Sequence, residues 1–155
     1  MKKCLVPLLL LLVVSCLPDN SKSEIPTTDF TAANEEEIIT YINDNNLDAQ
    51  KSASGLYYVI ENQGTGAAPT ASSDVTVAYK GYFTDGSVFD DSQGDGITFN
   101  LSGVIAGWTE GITYFNEGGS GILLIPSRLA YGNAGRSGIP GGAVLIFDIE
   151  LQSVN

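Results

Sequence analysis

The sequence predicts an α+β domain in which a curled antiparallel β-sheet wraps around one short α-helix, preceded by a short N-terminal helix. In residues 51–155, short runs of β-branched and aromatic residues alternate with clusters of Gly, Pro, Asp and Asn, a pattern typical of short strands joined by turns. Within that region one segment, 106–115, places apolar residues at helical spacing. Strands that cover a single helix fit the α+β class.

Residues 1–15 are predicted to form an export signal. Two lysines stand near the start, the apolar run 5–14 is too short for a stable membrane-spanning helix, and small Ser15 precedes Cys16. The local string VVSC resembles a bacterial lipobox, in which Cys16 is lipidated, becomes the mature N-terminus and is held by its acyl chains. The alternatives are an ordinary cleaved signal with an incidental Cys16 and, less favoured, a retained transmembrane anchor.

The export signal and the lipobox-like string predict a cell-envelope protein that is lipid-anchored at the outer membrane, on its periplasmic or surface side. The other cysteine, Cys4, lies in the leader, so the mature chain is expected to have no thiol for a disulfide or a metal. The formal net charge of -11 argues against nucleic acid as a partner and against electrostatic adsorption to anionic lipid. Contact with the membrane is therefore predicted only through the anchor.

A tether and a short helix are predicted to follow. Residues 16–33 are polar, contain two prolines and show no periodicity, as expected of a flexible tether. In residues 34–50, Asn34 is a candidate N-cap, and an apolar stripe runs from Ile38 to Ile42. The stripe could pair with a second copy, but packing on its own domain is favoured because the stripe is short. A monomer is the default expectation.

Residues 51–155 are predicted to form one domain, long enough to bury a core. The predicted strands are 56–60, 75–82, 97–101, 121–125 and 143–151. Asp85-Gly86 is a hairpin-type turn signal between the second and third of these regions. In 106–115, Trp108 and the apolar residues four and seven positions later predict the single helix.

The residue types of this domain predict an apolar pocket. Six aromatic residues lie within the last eighty or so residues of the chain, namely Tyr79, Phe89, Phe99, Trp108, Tyr131 and Phe147. The whole sequence has no histidine, so the usual groups for proton abstraction and metal binding are scarce. A pocket of this kind suits chemistry that activates no nucleophile, and neither a cofactor nor a metal is expected.

The acidic loop 90–96 is the one segment whose oxygen atoms suggest calcium. Its spacing does not fit an EF-hand loop, and no bidentate Glu stands at the required distance. A solvated surface loop is the favoured interpretation.

Five strings, in this order and spacing, carry a resemblance to a known family. They are VAYKGY (77–82), DGSVFDDS (85–92), VIAGWTEG (104–111), LAYG (129–132) and LIFDIEL (145–151). Together they resemble the FKBP-type peptidyl-prolyl cis/trans isomerases, the macrolide-binding immunophilins, over the chain from about Leu56 onward. The resemblance implies an FKBP-like fold for 51–155 and acceleration of X-Pro rotation in exported proteins, assisting their folding. Its implied partners are proline-containing polypeptides, with macrolides as further candidate ligands.

The resemblance also implies a set of catalytic pocket residues: Tyr79, Phe89, Asp90, Val104, Ile105, Trp108, Tyr131 and Phe147. In this assignment the Trp108 ring lies under the proline ring, and the other aromatic side chains form the walls. The Ile105 backbone N–H and the Tyr131 hydroxyl donate to substrate carbonyls. Asp90 orients the walls and carries no proton, since bond rotation moves none.

Three further residues are implied to bind substrate with less certainty, and they are Ile97, Phe99 and Ile139. Ile97 stands where many family members have another pocket aromatic, and Phe99 either lines the pocket or lies behind it. In the flap 133–140, which carries Ile139, Arg136 is near a position often occupied by histidine. Each aromatic taken singly is more often plain core, and the order of the five strings reverses that preference for the set.

Two function classes therefore remain. The first is an isomerase, and the second is a non-catalytic chaperone or protein-binding module that uses the same apolar cleft, or the loops around it, to hold partner proteins. Retention of Asp90, Trp108 and Tyr131 favours the enzyme.

Overall fold

A computed structural model describes residues 28–155. The helices are α1 (Thr31–Asp44) and α2 (Ala106–Gly111), and the strands are β1 (Gln50–Lys51), β2 (Tyr57–Asn62), β3 (Asp74–Tyr82), β4 (Val88–Asp91), β5 (Ile97–Asn100), β6 (Ser120–Ile125) and β7 (Leu145–Val154). Three short 3₁₀ turns cover Leu101–Gly103, Ile112–Tyr114 and Ser127–Leu129. The predicted α+β class, with a curled antiparallel sheet, one short helix against it and a further helix near the N-terminus, is confirmed.

One seven-stranded antiparallel sheet organises these elements. Its order is β1-β2-β6-β7-β3-β4, and β5 pairs with β3 beside β4. The long central strands β3 and β7 pair along eight positions, from Val75 opposite Val154 to Tyr82 opposite Ile146. Because β3 also pairs with both β4 and β5, side chains from several strands converge on the same face near the middle of β3.

The helix α2 packs closely on one face of this sheet. Gly107 and Gly111 face the sheet, and a Cβ atom on them would lie 2.5 Å from Ile125 Cγ2 and 2.8 Å from Leu123 Cδ1. The two glycines therefore allow the helix backbone to approach β6 more closely than a larger residue would. The main core forms here, around the fully buried side chains of Phe115 and Leu123.

The other face of the sheet is covered by α1. Ile38 is 1 % exposed and packs in a second cluster with Leu124 and Ile146. Successive side chains of a strand point to opposite faces, so Leu123 faces α2 while Leu124 faces α1. Burial on both faces explains the continuous apolar run of β6. The apolar stripe of α1 thus packs on its own domain, the arrangement that the sequence favoured.

The start of α1 differs from the prediction. The helix begins at Thr31, within the segment assigned to the tether, and Asn34 is not its N-cap. Phe30 occupies the N-cap position, and the Thr31 N–H is bound by the Asp29 carboxylate at 2.9 Å. Asn34 lies one turn into the helix, where its amide bonds to distant parts of the chain. The helix ends at Asp44, and the last residue of 34–50, Gln50, is the first residue of strand β1.

The strands follow the predicted runs with small shifts, and two were missed. Each predicted run overlaps one strand, while β1 and β4 were not predicted. The β4 sequence is short and half acidic, and it is a strand because the turn at Asp85-Gly86 folds it against β3. Gly86 has a φ of 85°, which a turn glycine adopts without strain. The predicted helix 106–115 is a six-residue α-helix followed by a 3₁₀ turn.

The predicted leader, the predicted lipidation site Cys16 and most of the predicted tether lie outside the described residues. Within residues 28–155, none of the helices has the length and apolar character required to cross a membrane.

Candidate active site

A pocket of about 610 Å³ opens on the face of the sheet that carries α2. Every residue that the sequence assigned to the site lines it: Tyr79, Phe89, Asp90, Ile97, Phe99, Val104, Ile105, Trp108, Tyr131, Ile139 and Phe147. Strands β3, β4, β5 and β7, the start of α2 and the segment after β6 all contribute. The structure thus brings together residues that are up to 68 positions apart in the sequence.

The indole of Trp108 forms the floor of this pocket. The residue is only 5 % exposed, yet it lines the pocket and is not sealed behind it. The Tyr79 and Phe147 rings meet it edge-on at centroid distances of 5.0 and 5.1 Å, and the Phe99 ring lies 5.1 Å away at a tilt. Such edge-to-face contacts are favourable for aromatic rings and fix the orientation of the indole. The sequence left open whether Phe99 lines the pocket or lies behind it. In the structure, Phe99 lines the pocket.

The wall formed by Phe89 and Phe147 depends on a glycine. The two rings meet edge-on at 5.5 Å, and both lie over Gly81 in β3. A Cβ atom at Gly81 would come within 2.7 Å of Phe89 Cε2 and 2.8 Å of Phe147 Cε1. A glycine inside a strand often marks such a close approach. That was the signal in the sequence from which Gly81 could have been identified as part of the site.

Tyr79 and Asp90 form a hydrogen bond at the rim. The Tyr79 hydroxyl donates to Asp90 Oδ2 at 2.9 Å. Burial, together with the bond to Asp90, raises the pKa of Tyr79 to about 12. The phenol therefore stays protonated at neutral pH and remains a donor to the carboxylate. This geometry suits the orienting role predicted for Asp90, because the bond holds the Tyr79 ring against the indole.

Two polar groups of the pocket can each donate a hydrogen bond to a bound molecule. Ile105 is the N-cap of α2: its carbonyl accepts from the Trp108 and Thr109 N–H groups at 2.9 and 3.1 Å. Its own N–H precedes the helix and donates to no other backbone carbonyl within residues 28–155. The Tyr131 hydroxyl oxygen accepts from Arg136 Nη1 at 2.9 Å, so the Tyr131 proton can be directed to another acceptor.

The flap closes one side of the pocket. Arg136 and Ile139 exchange two backbone hydrogen bonds of 2.9 Å, which make a tight turn through Ser137 and Gly138. Ile139 is 8 % exposed and packs into the main core, while the Arg136 guanidinium lies 5.0 Å from the Tyr131 ring centroid. In the sequence, Arg136 was recognised as a departure from the family pattern, but its position beside Tyr131 was not predicted.

An apolar side chain remains accessible at the pocket rim. Ile97, which lines the pocket, is 45 % exposed on β5, whereas Val88 on β4 is 50 % exposed and does not line the pocket. The acidic loop turns beside them, with the Gln93 N–H bound to Asp91 Oδ1 at 2.7 Å. Within the described part of the chain, no group of three or more His, Cys, Asp or Glu side chains is placed to hold a metal ion.

Comparisons with known proteins agree with this geometry. A model of the FKBP-type peptidyl-prolyl cis-trans isomerase family matches residues 66–152. The FKBP-type peptidyl-prolyl cis-trans isomerase FkpA of Escherichia coli K12 is 48 % identical over 105 residues, which cover 66 % of this chain and 39 % of that protein. The chain thus spans about two-fifths of the length of the curated relatives that it matches.

Solved structures show the same fold. The crystal structure of FkpA from Escherichia coli matches with a TM-score of 0.73 and 41 % identity, covering 80 % of this chain and 60 % of the other. A peptidyl-prolyl cis-trans isomerase from Pseudomonas syringae matches with a TM-score of 0.71 and 32 % identity, covering 83 % and 97 %. The chain therefore belongs to the FKBP-type peptidyl-prolyl cis-trans isomerase family.

Proposed function

We propose that this protein is an enzyme that accelerates cis/trans rotation of X-Pro bonds in exported polypeptides and thereby assists their folding in the cell envelope. The observation that carries the proposal is the Trp108 floor inside an apolar pocket, with aromatic walls and two peptide-binding donors beside it. Membership of the family and the names of the relatives support it.

The physical argument begins with the peptide bond itself. Rotation costs about 18–20 kcal/mol because it destroys amide resonance, while the cis and trans forms of an X-Pro bond differ by only about 0.5–1 kcal/mol. A catalyst therefore has to lower only the barrier. At the twisted transition state the carbonyl is no longer conjugated with nitrogen and is less polar, so a site that excludes water favours it over the planar amide.

The pocket supplies the groups that this mechanism needs. The proline ring would lie on Trp108, and the residue before it would lie against the walls at Phe89 and Phe147. The Ile105 N–H and the Tyr131 O–H would bind the flanking carbonyls and hold the chain in place while the bond turns. Since no proton is transferred, Asp90 needs only to orient Tyr79.

The test is the rate of cis-to-trans conversion of a short Leu-Pro peptide. The protein should accelerate it, and Phe89→Ala should lower kcat/KM about tenfold because the open wall admits water and loosens the bound peptide. Ile39→Ala is the control, since Ile39 is 43 % exposed on α1. No acceleration above the uncatalysed rate would refute the proposal.

A binding module is the second candidate, and the accessible apolar side chain of Ile97 at the pocket rim favours it. Refolding of a client with no slow proline step separates the two. If the protein suppresses aggregation equally well with Phe89→Ala and shows no isomerase activity, the result would support the module.

Macrolides are proposed as competitive ligands of the same pocket. The protein is proposed to be a monomer because the apolar side of α1 packs on its own sheet.

We further propose that the protein is held in the envelope by a lipid on Cys16, at the outer membrane on its periplasmic or surface side. The support is the sequence pattern of a basic start, a short apolar run and a small residue before the cysteine. Cells that express the protein should incorporate labelled palmitate into it. Cys16→Ser should abolish labelling while Cys4→Ser preserves it, and equal labelling of the Cys16→Ser variant would contradict the anchor.

A further inference from the structure

The segment between β6 and β7, residues 127–142, contributes one whole side of the pocket. It carries Tyr131, Arg136 and Ile139, all of which line the pocket. Because much of this segment lies outside strands and helices, its position depends on the packing of a few side chains, such as Ile139 in the main core, and on a small number of hydrogen bonds.

Some of those bonds lie within the segment. The Gly132 N–H donates to the Ser127 carbonyl at 2.8 Å, and the Gly142 N–H donates to the Gly132 carbonyl at 2.9 Å. These bonds draw Ser127 and Gly142, the two ends of the segment, toward Gly132. They do not attach the segment to the rest of the domain.

Asn34 of α1 makes that attachment at both ends. Its Nδ2 donates to the Gly142 carbonyl at 2.8 Å. Its Oδ1 accepts from the Ser127 backbone N–H at 2.8 Å and from Ser127 Oγ at 2.7 Å. Asn34 is 2 % exposed, so these bonds are shielded from water, and loss of the amide would leave buried polar groups without partners.

Two neighbouring contacts extend the attachment. The Phe30 ring lies on Gly142, where a Cβ atom would come within 2.4 Å of Phe30 Cε1. Asn133 Nδ2 donates to the Thr28 carbonyl at 2.7 Å. The N-terminal end of α1 therefore contacts the 127–142 segment close to both of its ends, on the side away from the pocket.

We propose that Asn34 is a positioning residue of the active site. By holding both ends of the 127–142 segment, it keeps Tyr131 and Ile139 at the distance that a bound peptide requires. On this proposal α1 contributes to the isomerase activity by positioning the 127–142 segment. It does so although it lies outside residues 66–152, which the family model matches. The inference rests on the proposed function, because the pocket must act on a peptide for the position of the segment to affect a rate.

The experiment compares Asn34→Ala with Asn43→Ala, the same substitution at an exposed position of the same helix. For the Leu-Pro peptide, Asn34→Ala should lower kcat/KM about tenfold, mainly through a raised KM, because the segment binds the peptide. Hydrogen exchange of the Arg136, Ile139 and Gly142 amides should become faster, while the amides of β3 and β7 keep their protection. Asn43→Ala should match the unmodified protein in both measurements.

Two further variants separate positioning from general destabilisation. Ser127→Ala removes only the hydroxyl bond to Asn34 and should change rate and exchange in the same direction by a smaller amount, even if Asn34→Ala folds poorly. Ile38→Val weakens the packing of α1 without touching the Asn34 bonds. It should lower the thermal midpoint and leave kcat/KM and the exchange of the segment unchanged.

The proposal is overturned if both Asn34→Ala and Ser127→Ala leave exchange of the segment unchanged, or if Ile38→Val lowers kcat/KM as much as Asn34→Ala does. A different result would refute the proposed function instead, namely an unmodified protein with no isomerase activity. In that case the exchange measurement still decides whether Asn34 orders the segment, since it requires no turnover.

Discussion

Replacing Trp108 with alanine should lower kcat/KM for a Leu-Pro peptide by about a hundredfold or more, because the variant loses the surface on which the proline ring lies. The three aromatic rings around the indole would lose their common partner and could move into the space. Water would then reach the peptide bond, and the preference of the site for the twisted amide would be lost. The measurement is the acceleration of cis-to-trans conversion at a temperature where the variant is folded.

The same substitution should also reduce stability. Trp108 is 5 % exposed, and truncation of a buried tryptophan to alanine costs about 3–5 kcal/mol. Urea unfolding monitored by circular dichroism measures this loss and defines the conditions for the activity assay.

Trp108→Phe is the matched control for the floor. It keeps an aromatic ring but removes the indole N–H, which is buried and has no hydrogen-bond partner within residues 28–155. Removal of an unpaired buried donor offsets part of the lost packing, so we expect smaller losses of both activity and stability. Equal activities for Trp108→Ala and the unmodified protein would show that the indole is not the catalytic floor.

Replacing Gly121 with alanine should lower the free energy of unfolding by about 3 kcal/mol or more, because the added methyl group has no space. Its Cβ would lie 2.0 Å from the Val59 carbonyl oxygen and 2.8 Å from Phe115 Cε1. The Val59 oxygen belongs to the backbone of β2, so it cannot rotate aside. The strand pair β2–β6 would have to separate locally, and the core around Phe115 would shift.

Gly103→Ala is the control for this prediction. No heavy atom lies within 4 Å of a Cβ placed at Gly103, and its φ is outside the left-handed region. Alanine there should leave stability unchanged or raise it by about 0.4–1 kcal/mol through the unfolded state. Both variants are compared by urea unfolding, and equal midpoints would contradict the close approach of β2 and β6.

The strands and the composition of the pocket could be predicted from the sequence because their signals are local. Alternating β-branched and aromatic residues mark a strand wherever it lies, and the turn signal at Asp85-Gly86 is contained in two residues. The pocket aromatics were identified through the order of five short strings, and the structure places all of the named residues around one cavity. The strand β4 was missed because its own residues have weak strand preference and its pairing with β3 comes from the fold.

The role of Asn34 shows what local signals miss. A polar residue before an apolar stripe is typical of an N-cap, and the sequence was interpreted in that way. In the fold its amide binds Ser127 and Gly142, which are 93 and 108 positions away, and these bonds decide its environment. The same holds for Gly81, whose close contacts with Phe89 and Phe147 exist only after three strands have paired.

By itself, the sequence determined the fold class, the family and the residues of the pocket, because each depends on short local patterns. The absence of histidine in the sequence further indicated the kind of chemistry that suits the pocket. Only the tertiary structure decided how the pocket is held together: the glycine behind its wall, the arginine on Tyr131 and the helix that fastens the 127–142 segment. The physical reason is that these features are contacts between distant residues. Their energies depend on distance and burial, which no stretch of sequence records until the sheet has closed around α2.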